Sequence, residues 1–277
     1  MSEPQPSSRP PDAAPDRYGP ATSPSFDPQP ATREILGVRF HATRYEQATN
    51  LVMRWAARRE SRTVYCSNTH SVIEAQDDAS FLDVLNTADL NTSDGVPIVW
   101  ALRREGVGAE RVYGPDLTLH VLRAAAAQGV PVAFYGSTSE TLDLLRERLP
   151  QLAPGLDLRA MISPPFRPLS DEEDQAFTDE LTQSGARIVF VGLGCPRQER
   201  WCHEHRGRLP AVMLGVGAAF DFHAGRVRQA PPALQRMGLE WAFRLAMEPR
   251  RLWRRYTRVV PRFLIGYGRQ MARSEEG

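Results

Sequence analysis

Residues 187–199, RIVFVGLGCPRQE, contain the pattern that decides the fold: an apolar run rich in β-branched residues, a glycine pair and then a polar segment. Such a run is typical of a strand buried in a parallel sheet, and the glycines allow a tight turn into a helix. Similar runs recur along the chain, and the candidate strands are 63–67, 88–92, 130–135, 156–162, 187–191 and 211–214. Short strands alternating with longer helical patterns predict an α/β fold, a Rossmann-like parallel sheet with flanking helices.

Three predicted helices begin with a Ser or Thr that is followed three residues later by Glu. The pairs are Thr43 with Glu46, Ser137 with Glu140, and Ser170 with Glu173. This spacing is that of a capping box, in which both residues satisfy backbone N–H groups at a helix start. We therefore expect helices to begin at all three places.

The sequence divides into three regions. Residues 1–31 are rich in Pro, Ser, Ala and Asp and poor in aliphatic residues, so we expect a disordered tail. Residues 32–235 carry the α/β pattern. Residues 236–277 are predicted to form a separate helical appendage that is basic and aromatic.

Composition limits the class of protein. The 277 residues have a formal net charge of only +1, so any anionic partner must meet a local basic patch. The three cysteines lack the spacing of a disulfide framework or a zinc site, which fits a reducing cytosol. We see no signal peptide and no apolar run near the about 18 residues of a spanning helix, so we expect a chain that is neither exported nor integral.

Four loops after predicted strands hold the candidate site residues, because ligands of open α/β sheets bind where strands end and helices begin. The loops are 67–70, 92–95, 135–138 and 192–199. In the last loop Arg197 replaces the third glycine of G-x-G-x-x-G, and Phe220 does so after Gly215 and Gly217. The close helix packing of a dinucleotide site is therefore not encoded, which argues against a nicotinamide cofactor. The glycines either approach a phosphate or only make tight turns.

Each remaining candidate has a structural alternative. Asp94 follows a predicted strand and is a plausible general base, but it could instead cap the next helix. Asn68 could be an N-cap, and Arg111 could hold a diphosphate or be solvated. His203 and His205 lack metal-ligand spacing, and we interpret both as surface residues.

The appendage is strongly basic. Ten Arg and two acidic residues lie between Arg236 and Arg273, interleaved with Trp, Phe and Tyr. Aromatic and basic side chains together favour a membrane interface. A solvated basic helix packed on the core and a nucleic-acid groove are the alternatives.

In order along the chain, seven stretches resemble the WecG/TagA/CpsF glycosyltransferases (glycosyltransferase family 26) over about residues 34–265. They are SNTHSVIEAQDD, LNTSDGVPIVWA, ERVYGPDL, VAFYGS, IVFVGLGCPRQERW, GVGAAFDFHAGRVRQAP and LEWAFRLAMEPRRLWRRY. The resemblance implies an inverting transferase that acts on a UDP-sugar without the Asp-x-Asp metal site, which this sequence also lacks. It implies no cofactor.

The resemblance also assigns roles. Asp94 matches the family's proposed base, and Asn68, Arg111 and Gln198 match other active-site positions. The functional arginines of the family's appendage fall on Arg244, Arg251 and Arg254. The glycines predicted to let the backbone approach the nucleotide are Gly136, Gly192, Gly194 and Gly217, with Ser137 in the same group of donor-loop residues.

One departure concerns the donor. A family threonine is replaced by Cys66, which removes a hydroxyl from the donor site. Members of the family differ in their donor sugar, so the resemblance implies N-acetylmannosamine, its uronic acid or glucose. The expected acceptor is a sugar linked to polyprenyl diphosphate. We expect the protein to lie in the cytoplasm, at the inner face of the cell membrane, where it binds the anionic membrane surface. We expect it to bind no nucleic acid. Homo-oligomer formation stays open. The rival functions are a nicotinamide-dependent oxidoreductase and a non-catalytic basic protein that binds lipid or nucleic acid.

Overall fold

The structure is a computed structural model that describes residues 29–228, 230–231, 234, 240–247 and 249–275. Within the helices it leaves out the side chains of Glu240, Arg244, Arg251, Arg254, Arg255, Ser274 and Glu275. The predicted disordered tail therefore lies almost wholly outside the described residues. The predicted boundary at residue 235 also falls there, and both stay predictions.

Eight strands form two sheets. The strands are β1 (Thr32–Ile35), β2 (Val38–His41), β3 (Arg62–Ser67), β4 (Leu90–Ser93), β5 (Val132–Gly136), β6 (Leu158–Ile162), β7 (Ile188–Gly192) and β8 (Val212–Gly215). A parallel six-stranded sheet has the order β4-β3-β8-β7-β5-β6. All six predicted strands are found in it, within two residues of their predicted ends, and the α/β prediction is confirmed.

Helices cover both faces of this sheet. They are α1 (Tyr45–Ala57), α2 (Thr69–Asp77), α3 (Ala79–Asn86), α4 (Val96–Arg104), α5 (Gly114–Gln128), α6 (Ser139–Leu152), α7 (Asp171–Gln183), α8 (Arg197–Glu204), α9 (Ala219–His223), α10 (Glu240–Met247) and α11 (Pro249–Glu275). One core cluster joins the sheet to α1, α5, α6 and α9, and the other joins it to α2, α3, α4, α7, α8 and α11. The sheet is thus the middle of three layers.

An antiparallel hairpin of β1 and β2 was not predicted. Its turn is made by Leu36 and Gly37, both at positive φ, which is the backbone of a two-residue hairpin turn. The side chain of Asn91 in β4 donates to the carbonyl of Arg39 at 2.9 Å, which holds the hairpin against the sheet edge. The alternation of apolar and polar residues in Val38-Arg39-Phe40-His41, directly after Gly37, is the signal that could have revealed it.

Only one predicted capping box is present among the described residues. Ser170 and Glu173 form it at the start of α7, as predicted. α1 instead begins after Arg44 without a side-chain cap, because the Thr43 hydroxyl bonds to Gln47 at 3.0 Å. At α6 the cap is Thr138, one residue after the predicted Ser137.

The C-terminal segment ends in one long helix. A proline in the interior usually kinks or ends a helix, but α11 continues through Pro261 and is 27 residues long. Val259, Phe263 and Tyr267 pack into the core cluster around α2 and α4, and all three are buried. No helix in the described part of the chain is both long and apolar enough to cross a bilayer.

The interpretation of His205 as a surface residue is wrong. Its ring is buried, stacks on Trp201 with a centroid separation of 3.9 Å, and bonds to the hydroxyl of Thr178 at 3.0 Å. Burial lowers the pKa of His205 below its ordinary value. The hydrogen bond to Thr178 ties the end of α8 to α7. His203 is exposed, as expected.

Candidate active site

Two cavities open at the carboxyl-terminal edge of the parallel sheet. They have volumes of about 560 and about 680 Å³. Both are lined by Asn68, His70, Asp94 and Tyr113, so they meet at these residues. The loop that follows β3 and the loop that follows β4 therefore form the wall common to both cavities.

The larger cavity is polar. It is formed by the loops after β3, β5, β7 and β8 and by the starts of α5 and α8. Its lining includes Cys66, Ser137, Thr138, Thr141, Gly192, Gly194, Gln198, Glu199, Gly217, Asp221 and Arg226. Hydroxyl groups and backbone exposed by glycines suit a polar, anionic ligand. We call it the polar cavity.

The smaller cavity is mostly apolar and lies between the core and the C-terminal helices. Its core side is formed by the starts of α2 and α4, with Val96 and Pro97. Its other side is formed by α10 and α11, whose lining residues are Trp241, Leu245, Leu252, Trp253, Tyr256, Thr257, Val259, Val260 and Pro261. We call it the apolar cavity.

Asn68 and Asp94 lie side by side where the cavities meet. The Asn68 Oδ1 accepts from the backbone N–H of His70 at 2.9 Å and so caps α2. Its Nδ2 donates toward Asp94 Oδ2 at 3.4 Å. The capping alternative for Asp94 is wrong, since α4 begins after Gly95 without a side-chain cap.

Arg111 is held against Asp94. Its Nε donates to the Asp94 backbone carbonyl at 2.6 Å, and its Nη2 lies 3.7 Å from Asp94 Oδ1. The guanidinium also lies 4.4 Å from the ring centroid of Tyr113. Arg111 lines the apolar cavity beside the carboxylate, so it is half-buried and not the freely solvated side chain of the alternative.

Gln198 lies on the first turn of α8 and is buried in the wall of the polar cavity. Its Oε1 accepts from the backbone N–H of Gly194 at 3.1 Å, and its Nε2 donates to Glu199 Oε1 at 2.9 Å. A Cβ on Gly217 would lie 3.2 Å from the same Gln198 Oε1. Gly217, at positive φ, is thus needed for the turn and for the position of Gln198.

The other predicted glycines divide between the cavity and the packing beneath it. Gly192 and Gly194 line the polar cavity. Gly136 is absent from its lining, and a Cβ there would lie 2.6 Å from the carbonyl carbon of Gly192. Close approach of β5 and β7 is the reason for Gly136, and the structure does not bring it to the ligand space. The adjoining Ser137 does line the cavity.

Sequence reasoning missed several residues of the polar cavity. Glu199 is buried in its wall, and Arg226 lies at its edge with Nη1 donating to the Thr141 hydroxyl at 2.6 Å. Arg226 lies inside one of the stretches that carried the resemblance, so its charge was a signal available in the sequence. Glu199 follows Gln198 directly, but nothing in the sequence showed that its carboxyl is buried.

Three predicted arginines lie in helices but beyond the described side chains. Arg244 is in α10, and Arg251 and Arg254 are in α11. Cys66 lines the polar cavity, and burial raises its pKa to about 12, so it stays a neutral thiol. Among the described residues, no group of three His, Cys, Asp or Glu side chains could hold a metal ion.

A family model independently matches the chain. The model of the glycosyl transferase WecG/TagA/CpsF family covers residues 33–277, which is nearly the whole sequence. Its match includes every loop that lines the two cavities and both C-terminal helices. The oxidoreductase and non-catalytic alternatives therefore lose their basis. The chain belongs to the WecG/TagA/CpsF family of glycosyl transferases.

Proposed function

We propose that this glycosyltransferase of cell-wall polymer synthesis binds a UDP-sugar in the polar cavity and a polyprenyl-diphosphate-linked acceptor in the apolar cavity. The observation that supports this is the meeting of two cavities of opposite chemistry at Asp94. A direct displacement needs the anomeric carbon of the donor and the hydroxyl of the acceptor to meet at one base. Asp94 lies where that meeting would occur.

Asp94 would accept the proton from the acceptor hydroxyl as its oxygen attacks the anomeric carbon and the nucleotide diphosphate leaves. One displacement of this kind inverts the configuration at that carbon. General-base assistance typically supplies about 10²–10⁴-fold in rate. Asn68 and Arg111 would fix the position of the carboxylate, through the 3.4 Å contact with Nδ2 and the 2.6 Å bond to the backbone carbonyl.

Charge on the leaving diphosphate must be met by fixed donors and cations. Arg226 at the edge of the polar cavity would supply a cation on the donor side. Arg111 lies on the acceptor side, where the diphosphate of the lipid carrier would be. Arg244, Arg251 and Arg254 remain proposed diphosphate ligands on the helices that cover the site.

The C-terminal helices suit a lipid surface. Trp241, Trp253 and Leu264 are each more than half exposed. Trp100 of α4, whose ring contacts Tyr267 of α11, is also more than half exposed. Exposed aromatic side chains together with the arginines of α11 favour the headgroup region of an anionic membrane. We propose peripheral attachment at the inner face, with the apolar cavity receiving the first isoprene units.

The test separates the two cavities. Thr257 of α11 lines the apolar cavity, so Thr257→Trp should fill it, while Thr257→Ser adds no volume and is the control. We expect the tryptophan variant to raise KM for a polyprenyl-diphosphate acceptor at least tenfold and to leave UDP affinity within about twofold. UDP release from a panel of UDP-sugars identifies the donor. Equal loss of UDP affinity in this variant contradicts the separate roles of the cavities.

A further inference from the structure

Glu199 is a buried carboxyl group in the wall of the polar cavity. Its exposed fraction is 1%, and it lies on the first turn of α8. Oε1 accepts from the Gln198 side chain at 2.9 Å. Oε2 is also buried, and among the described residues no donor meets it with hydrogen-bond geometry, although the Cys195 thiol interacts with the carboxyl group and lowers its pKa. One oxygen is thus bonded, and the other can hold a proton.

The bonded oxygen fixes an orientation. Because Gln198 Oε1 accepts from the Gly194 backbone at 3.1 Å, its Nε2 must point toward Glu199. The Tyr65 hydroxyl donates to the Glu199 backbone carbonyl at 3.0 Å and anchors this turn of α8 to β3. Glu199, Gln198 and the loop after β7 therefore form one hydrogen-bonded unit.

No positive side chain balances the carboxyl within the described residues. The titratable groups that face it are Tyr65 and Cys66 from β3, Cys195 from the loop after β7, and Cys202 from α8. Burial raises the pKa of Glu199 to about 7, despite the hydrogen bond from Gln198. Burial also raises the pKa values of Tyr65, Cys66 and Cys202, which therefore remain neutral when Glu199 titrates.

We propose that Glu199 is a positioning residue of the polar cavity that holds the Gln198 amide and becomes an uncharged carboxylic acid when an anionic nucleotide binds. The proposal rests on the proposed function, because it requires a nucleotide diphosphate in this cavity. A second negative charge in a buried site disfavours the carboxylate. The proton comes from solvent, is held on the carboxyl group while the nucleotide is bound, and returns to solvent when the nucleotide leaves.

The free protein gives the first test. Glu199 binds a proton more readily when folded, since its pKa lies above the value of 4.5 for an exposed Glu. Stability from this group is present at low pH and is lost as pH rises toward about 7. The urea midpoint of the wild type should therefore fall over this range relative to Glu199→Gln. Parallel profiles for the two proteins would overturn the proposal.

Nucleotide binding gives the second test. We would titrate UDP into the full-length chain by calorimetry from about pH 7.5 to about pH 8.5, a range above the last ionisation of the terminal phosphate and below that of the uracil N3–H. The wild-type Kd should rise about tenfold per pH unit, because the carboxylate must take up a proton. In Glu199→Gln it should change less than about twofold. Glu204→Gln, at an exposed position of the same helix, is the matched control and should follow the wild type.

The outcomes separate this inference from the function on which it rests. A wild type that binds UDP equally at all these pH values, or a Glu199→Gln variant as steep as the wild type, overturns the role of Glu199 alone. A wild type that binds no UDP overturns the nucleotide assignment of the cavity and this inference with it. If Glu199→Gln keeps the wild-type kcat near neutral pH and Glu199→Ala does not, the result supports the role of Glu199 in positioning Gln198.

Discussion

The Nδ2 of Asn68 lies 3.4 Å from Oδ2 of Asp94, while the Oδ1 of the same amide caps α2. The cap determines which end of the amide faces the carboxylate, since the oxygen is occupied by the backbone N–H of His70. The structural and the catalytic interpretations of Asn68 are therefore compatible. A helix cap orients a donor toward the candidate base.

Substitution of Asn68 can separate these two roles. Ser also caps helices, so Asn68→Ser should keep stability within about 0.5 kcal/mol, whereas Asn68→Ala should lose about 1 kcal/mol. Both lack the amide N–H group that reaches Asp94, so both should lower kcat about tenfold. Urea unfolding and steady-state rates measure the two effects. Wild-type kcat in the serine variant would limit Asn68 to its capping role.

Asp94 itself should be needed for turnover more than for donor binding. Asp94→Asn keeps the shape of the side chain but cannot accept the proton, so kcat should fall by about 10²–10⁴-fold. UDP affinity should stay within a few-fold of the wild-type value. Asp83→Asn, at an exposed position of α3, is the control. Unchanged turnover would remove Asp94 from the role of base.

The sequence was sufficient for the sheet because its signals are local. Each apolar run such as 187–191 is bounded by turn residues, and its burial requires a strand between helices. The loops that hold Asn68, Asp94 and Gln198 were found because they follow such strands, while the active-site roles of Asn68 and Gln198 came from the family resemblance. The position at which each strand ends can thus be predicted from the sequence, and a parallel sheet brings the carboxyl ends of its strands to one edge.

Other features depend on contacts between distant segments. The apolar cavity exists because α11 packs across α2. The cavity residues contributed by α10 and α11 are separated from Asp94 by more than 140 positions in the sequence. Gly136 was assigned to the nucleotide because the sequence does not show that Gly136 packs against Gly192 of a neighbouring strand. His205 was placed on the surface because its contact with Thr178 of α7 joins segments that are 27 residues apart in the sequence.

Turnover should persist in the presence of a chelator. The sequence lacks Asp-x-Asp, and within the described residues no cluster of metal-binding side chains is found. Diphosphate charge would then be met by Arg226 and by the proposed arginines of α10 and α11. We expect rates with EDTA to remain within about twofold of those without it. Full inhibition that added Mg²⁺ or Mn²⁺ reverses would contradict a metal-independent mechanism.

An ion-pair cluster holds α11 against α2. Asp77 accepts from Arg258 Nη2 at 2.7 Å and from Arg262 Nη1 at 2.8 Å. Arg262 and Arg258 hold the pKa of Asp77 well below its ordinary value, so this contribution is present at neutral pH and is lost only in acid. Asp77→Asn should increase hydrogen exchange in α11 and raise the acceptor KM, since α11 lines the apolar cavity.

The neighbouring residue supplies the control for that variant. Asp78→Asn removes a comparable exposed pair, with Arg200 at 2.7 Å, but this pair joins α2–α3 to α8. Its hydrogen exchange in α11 should match that of the wild type. Because exposed pairs are screened, added salt should narrow the difference between Asp77→Asn and the wild type. Equal exchange in both variants would show that packing alone holds α11.

Membrane attachment is best tested on the outer face of α11. Deletion of the residues after Met237 is not a clean test of attachment, because it would also remove Val259, Phe263 and Tyr267 from the core, each worth about 1.5–3 kcal/mol when buried. Leu264 is 59% exposed and lines neither cavity. Leu264→Gln should therefore weaken binding to anionic liposomes without lowering turnover on a soluble acceptor analogue.

Leu144→Gln is the matched control, because Leu144 is 41% exposed on α6 and belongs to neither C-terminal helix. It should bind liposomes as the wild type does. Binding should also weaken with salt, since each Arg near an anionic surface contributes about 1 kcal/mol that ions screen. Arg251→Ala and Arg254→Ala then divide the two proposed roles of these arginines. If they lower turnover on the soluble analogue, they act in the active site; if they affect liposome binding alone, they act only as a membrane anchor.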